Sequence, residues 1–83
     1  MLICKVTGSV ISTRKHDMLK GAKFTIVELA VGGELPFLAV DNIGAGVGEL
    51  VIVVRGSGAR VACGSDEIPA DAAIVGIIDD GTY

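Results

Sequence analysis

Short apolar runs separated by glycine-rich or charged breaks make up most of the chain, a spacing that predicts strands rather than helices. Leu2 to Ser12 is rich in β-branched residues, with Val6, Val10 and Ile11 around Gly8. It predicts a long strand, bent or bulged at that glycine. Thr13 to Ala22 is polar and charged, with Asp17 and Gly21 as turn formers, so a loop is expected; its Met18-Leu19 pair can tuck back as a plug. Phe24 and Ile26 alternate with Thr25 and Val27 between Lys23 and Leu29. Val31-Gly32-Gly33-Glu34 then supplies positive-φ turn residues before Pro36 to Val40 resumes the pattern, which predicts a hairpin. Leu50 to Val54 is apolar throughout, which predicts a strand covered on both faces, one by the core and the other by a neighbouring subunit. Two short helical turns are expected, at Ala59 to Cys63 with Ser57 as its cap and at Pro69 to Ala73. Ile74 to Asp79 is the last strand. Five strands joined by glycine-rich turns predict an all-β fold, a small antiparallel barrel or sandwich. A five-stranded, partly open Greek-key barrel of the OB type, with one or two short helical turns, fits the count.

Composition adds a reason to expect self-association. The 83 residues form one small domain, and a domain of this size buries only about two thirds of its unfolded surface. Half of the chain (51%) is hydrophobic and only 20% is charged, more apolar surface than a monomer this small can hide. A closed homo-oligomer covers the surplus. The net charge of −3 and the scattered lysines and arginines, adjacent only at Arg14-Lys15, leave no basic stripe for nucleic acid. Phe24, Phe37 and Tyr83 are too few for base stacking. Ala72 to Ile78 is the longest apolar run, well short of the about 18 residues a spanning helix needs, so no membrane role is expected; nor does the start read as an export signal. Cys4 and Cys63 allow one disulfide at most, and both are expected to behave as small apolar residues in a reducing compartment.

The candidate chemistry centres on Asp41-Asn42-Ile43-Gly44-Ala45-Gly46-Val47-Gly48-Glu49, where every second residue from Gly44 is glycine. Such a loop is shaped for close approach or for positive φ. Dinucleotide and phosphate loops of this kind open a helix and, in the phosphate case, end in Gly-Lys-Ser/Thr. Here a strand follows and the lysine is missing, so nucleotide binding is not expected. Asp41 and Glu49 bracket the loop as a conceivable carboxylate pair lining a cavity. A turn built by Asp41 with Asn42, and an ion pair from Glu49 to an arginine such as Arg60, are the simpler roles. His16, between Lys15 and Asp17, reads as a solvated imidazole; a cysteine–histidine nucleophile would require the fold to carry it to Cys4 or Cys63. No metal or cofactor is expected, and the acidic pairs Asp66-Glu67 and Asp79-Asp80 read as solubilising charges.

Five segments in order carry a family resemblance. They are Lys5 to Thr13, Leu19 to Lys23, Ala39 to Glu49, Gly56 to Arg60 and Asp71 to Asp79, the third including Gly44-Ala45-Gly46-Val47-Gly48-Glu49 complete. Together they resemble the CcmL/EutN family of bacterial microcompartment vertex proteins, over almost the whole chain. The resemblance implies an OB-like barrel, non-enzymatic, that assembles into homopentamers in the microcompartment shell of the cytoplasm. There it would cap five-fold vertices beside hexameric and pseudohexameric shell proteins, with no nucleic acid or membrane partner. The alternative is a small OB-type binding module for a ligand or nucleic acid. Asp41, Gly44, Ala45, Gly46, Val47, Gly48 and Glu49, together with Ser57, Ala59 and Arg60, are the expected subunit-contact or pore residues. The Val31 to Leu35 connection looks shorter than the loop many relatives carry, and the glycine motif leans towards members from catabolic compartments.

Overall fold

A computed structural model describes residues 1–10, 23–64 and 70–79. It contains β1 (Leu2–Val10), β2 (Lys23–Leu29), β3 (Phe37–Asp41), β4 (Leu50–Arg55), α1 (Ser57–Ala62) and β5 (Ala72–Ile78). The strands form the five-stranded barrel expected, closed rather than partly open, in the order β1-β2-β3-β5-β4. The loop expected at 13–22, with its Met18-Leu19 plug, lies outside the described residues, as do His16, Pro69 and the pair Asp66-Glu67.

Closure corrects one expectation, that the barrel is antiparallel throughout. A closed ring with an odd number of strands cannot alternate direction all the way round, so one neighbouring pair must run parallel. That pair is β3 and β5, joined only at Val40 to Ala73 and Asp41 to Ile74. Every other pair is antiparallel. The expected bend in β1 is present, where the register with β2 slips between Val6 and Gly8. Gly32 and Gly33, both at positive φ, turn the β2–β3 hairpin.

The core is made of small side chains. Cys4, Val6, Thr25, Val27, Ala39, Val51, Val53, Ala72 and Ile74 are buried, and none of the fully enclosed side chains is larger than valine. An interior this narrow fills with β-branched residues on alternate strand positions. The Thr25 hydroxyl, fully buried, is satisfied by donating to the Ala39 carbonyl at 3.2 Å. On β4 the core encloses Val51 and Val53, while Leu50, Ile52 and Val54 lie half-buried on the outer face of the single chain, the face expected to meet a neighbouring subunit.

The helical expectations are corrected twice. Gly56, at φ 71°, is the N-cap of α1 with no side-chain cap, so Ser57 is the first helical residue and not the cap. The backbone turn does this work, since the Gly56 N–H donates to the Asp71 carbonyl at 2.8 Å and ties the helix start to the start of β5. Ala72 and Ala73, expected in a second helical turn, open β5 instead, paired with Arg55 and Val54. Burial in the sheet outweighs the helix propensity of alanine.

Because the interior has no slack, truncating one wall residue leaves a cavity that its neighbours cannot fill. Val53→Ala is expected to destabilise the fold by about 2 kcal/mol, read from urea denaturation at fixed protein concentration.

Candidate functional site

The glycine loop joins β3 to β4 across one end of the barrel, and its shape follows from one carboxylate. Asp41 ends β3 with its side chain buried. Its Oδ1 accepts the Ile43 and Gly44 N–H groups at 2.8 and 2.9 Å, and its Oδ2 accepts the Ala45 N–H at 2.8 Å. Three consecutive amides thereby wrap one anion, the turn-forming role expected of Asp41. The wrapping turns Ala45 inward, where it joins the core cluster and stoppers the barrel end. The Lys23 ammonium donates to the Ala45 carbonyl at 2.9 Å and seals the turn from outside.

The second half of the loop closes on itself. The Gly46 N–H donates to Glu49 Oε1 at 2.5 Å and the Glu49 N–H returns to the Gly46 carbonyl at 3.1 Å. Gly48 then donates to the Val6 carbonyl at 2.8 Å, and Val6 donates to the Glu49 carbonyl at 3.0 Å, which extends the β1–β4 ladder into the loop. The three glycines serve different needs. Gly44 and Gly48 hold φ of 99° and 92°, which only glycine adopts without strain, whereas a Cβ on Gly46 would lie 3.1 Å from Glu49 Oε1. What the frame presents to solvent is apolar: Ile43 and Val47 are 48% and 66% exposed.

This geometry decides between the roles weighed for the two carboxylates. Each receives amides of its own loop, so they do not form a facing pair over a cavity. Glu49 is not joined to Arg60 either. The loop enters β4 at Leu50 and α1 leaves it past Arg55, so the two segments lie at opposite ends of a strand roughly 17 Å long. Of the ten expected contact residues, Asp41, Ala45 and Ala59 are buried inside their own chain. Gly44, Val47, Gly48, Glu49, Ser57 and Arg60 are exposed, and Gly46 is half-buried. Arg60 borders an open depression with Gly56, Ala70 and Asp71.

The pattern of residues gave no sign of a second polar cluster, at the end of the barrel away from the glycine loop. Arg55 Nη1 donates to Glu34 Oε1 at 2.6 Å, with the second arm at 3.4 Å, and the guanidinium lies 5.0 Å over the Phe37 ring. Only closure of the barrel brings the end of β4 beside the hairpin turn. The Arg55 hydrogen bond holds the Glu34 carboxyl below the usual range, and Glu34 raises Arg55 in turn. Cys4 and Cys63 are both free thiols, pushed up by burial, with Cys4 fully enclosed in the core and out of reach of substrate. Among the described residues no three His, Cys, Asp or Glu side chains gather as a metal site.

Comparison with known proteins agrees with this architecture. The model of the family described as ethanolamine utilisation protein EutN/carboxysome matches residues 1–79. The carboxysome shell vertex protein CcmL of Thermosynechococcus vestitus is 47% identical over 83 residues, covering 95% of this chain and 84% of that protein. A solved ethanolamine utilization protein, EutN, superposes with a TM-score of 0.91 at 38% identity, over 100% of this chain and 91% of the other. The GrpN pentameric microcompartment shell protein of Rhodospirillum rubrum gives a TM-score of 0.82 at 38% identity, over 100% and 98%.

Two measurements check the site. Asp41→Ala strips three amides of their acceptor and is expected to cost about 3 kcal/mol, with loss of hydrogen-exchange protection at the Ala45 amide; Asp41→Asn, which keeps one oxygen, should fall between. Glu34 should titrate by NMR below the ordinary glutamate value of about 4.3 and return to it in Arg55→Ala. Since its pKa is lowered by folding, the stabilisation it gives is complete above the ordinary value and is lost as pH falls through the lowered one.

Proposed function

The chain belongs to the EutN/CcmL family, and from that premise we propose that it is a structural, non-enzymatic shell protein whose homopentamers cap the five-fold vertices of a bacterial microcompartment. The observation that carries this reading is the end-to-end likeness to GrpN, a pentameric shell protein, over 100% of this chain and 98% of that one. The whole of residues 1–83 then acts as a single vertex domain. Its mechanism is geometric. A flat array of six-fold tiles cannot close, and a five-fold unit set among them introduces the curvature that closes it.

Self-assembly also answers the surplus of apolar surface. A ring is a head-to-tail contact whose rotation closes, so it covers that surface without leaving open ends. The partners of the ring are further copies of the chain and, at its rim, hexameric and pseudohexameric shell proteins. In this reading the exposed part of the glycine loop, Gly44 and Val47 to Glu49, faces a subunit contact or the five-fold opening, and Ser57 and Arg60 at the far end of the barrel supply a second contact. Asp41, Ala45 and Ala59 act through their own chain, by holding those surfaces in shape.

Native mass spectrometry at micromolar concentration is expected to give five copies; monomers or dimers alone would count against a vertex pentamer. Co-expression with hexagonal shell proteins should yield closed polyhedra with the chain and open tubes or sheets without it. Closed particles in both cases would remove the capping role.

A further inference from the structure

The parallel seam that closes the barrel is shorter than the strand it closes on. β2 pairs with β3 along its whole length, from Phe37 opposite Val27 to Asp41 opposite Lys23. On the other edge of β3, β5 pairs only with Val40 and Asp41. β5 starts at Ala72, opposite Arg55 of β4, so no residue of β5 reaches back to Phe37 or Leu38. Before Ala72 the chain leaves the track of the sheet: Ala70 packs against Val40, and the Asp71 carbonyl accepts the Gly56 N–H at the start of α1. The edge of β3 is thereby left open at Phe37 and Leu38. An open edge presents backbone N–H and C=O groups to a further strand.

A recess occupies the place where that strand would lie. Its volume is about 330 Å³, within the range of ligand sites, and Phe37, Leu38, Arg55, Asp71 and Ala72 line it. Ala72 is buried and gives a small apolar floor, while Leu38 is 51% exposed at the rim. Arg55 uses two N–H groups on Glu34 and lies over the Phe37 ring, which leaves further donors on a side chain of the recess. Asp71 is exposed, and among the described residues its carboxylate makes neither a hydrogen bond nor an ion pair. Arg55 is held in its charged form chiefly by Glu34 and, through space, also by Asp71. Two carboxylates thus stand around one guanidinium, and the surplus charge is negative.

We propose that this notch takes up an extended peptide segment of a partner protein, added as a short strand along Phe37 and Leu38, with a lysine side chain reaching Asp71 and small residues beside it set over Ala72. The track that β5 vacates between β3 and the end of β4 is one strand wide, so its occupant is a single extended segment. Pairing with the backbone of β3 fixes the register, and the surplus negative charge selects a basic segment over an acidic one. None of the lining residues is assigned to a subunit contact or to the five-fold opening, so the site is independent of ring formation.

The probe is the capped pentapeptide acetyl-Thr-Ala-Lys-Ala-Thr-amide, titrated into the isotope-labelled full chain and followed by NMR. Saturable shifts at the Phe37, Leu38 and Ala72 amides are expected below about 5 mM peptide, with slowed hydrogen exchange on the open edge of β3. Asp71→Asn keeps the backbone carbonyl that Gly56 uses and is expected to bind about five-fold more weakly. Two further peptides test the parent chain without any change to its fold. One carries glutamate in place of lysine; the other is N-methylated at its Ala, Lys and Ala residues, which keeps the charge and removes the backbone donors. Neither is expected to bind. Absence of saturation in that range, shifts confined to another face, unchanged affinity in Asp71→Asn, or binding of either control peptide as tightly as the probe overturns the proposal.

Discussion

Closing a sheet of five strands forces two neighbours to run the same way, and much of the molecule follows from that constraint. A parallel neighbour cannot be reached by a tight turn, so β3 is followed not by β5 but by β4, which the chain reaches through the glycine loop on the far side of β5; it then returns past α1 as β5, antiparallel to β4. The parallel seam is short, two residue pairs at the end of β3. Its last residue is Asp41, whose carboxylate faces inward at the rim and gathers the amides of the glycine loop. The loop in turn sets Ala45 into the barrel end. Topology, anchor, loop and stopper form one dependent series.

Much of this was legible in the residues because local chemistry and final structure agree. Lys23 to Leu29 is a strand with the expected bounds, Gly8 marks a real break in register, and Gly32 and Gly33 turn the hairpin. The family resemblance, carried by five motifs in order, is matched by the family model over residues 1–79. What stayed hidden depends on which elements become neighbours. Ala72 and Ala73 look helical alone and become strand because β4 offers them partners. Ser57 looks like a cap, yet Gly56 makes the turn with its backbone. The Arg55–Glu34 bridge joins residues 21 positions apart that only the closed barrel brings together.

The loop shows most clearly the difference between motif and mechanism. Its alternating glycines resemble a phosphate cradle by composition, but the anion they surround belongs to the protein itself. Asp41 takes the amides of Ile43, Gly44 and Ala45, and Glu49 takes that of Gly46. An amide already bonded to an internal carboxylate has no donor left for a ligand. The same accounting separates the buried Cys4 from reactive thiols, since a side chain enclosed in the core serves packing.

Within that loop, shape and surface are assigned to different residues. Asp41, Gly44, Gly46, Gly48 and Glu49 hold the backbone, while Ile43 and Val47 alternate with them and project into solvent without a part in the hydrogen bonding that sets the turn through their side chains. The positions open to change are thus interleaved with those that are not. Substitution at Ile43 or Val47 would change the surface that the loop presents while leaving the loop's architecture intact.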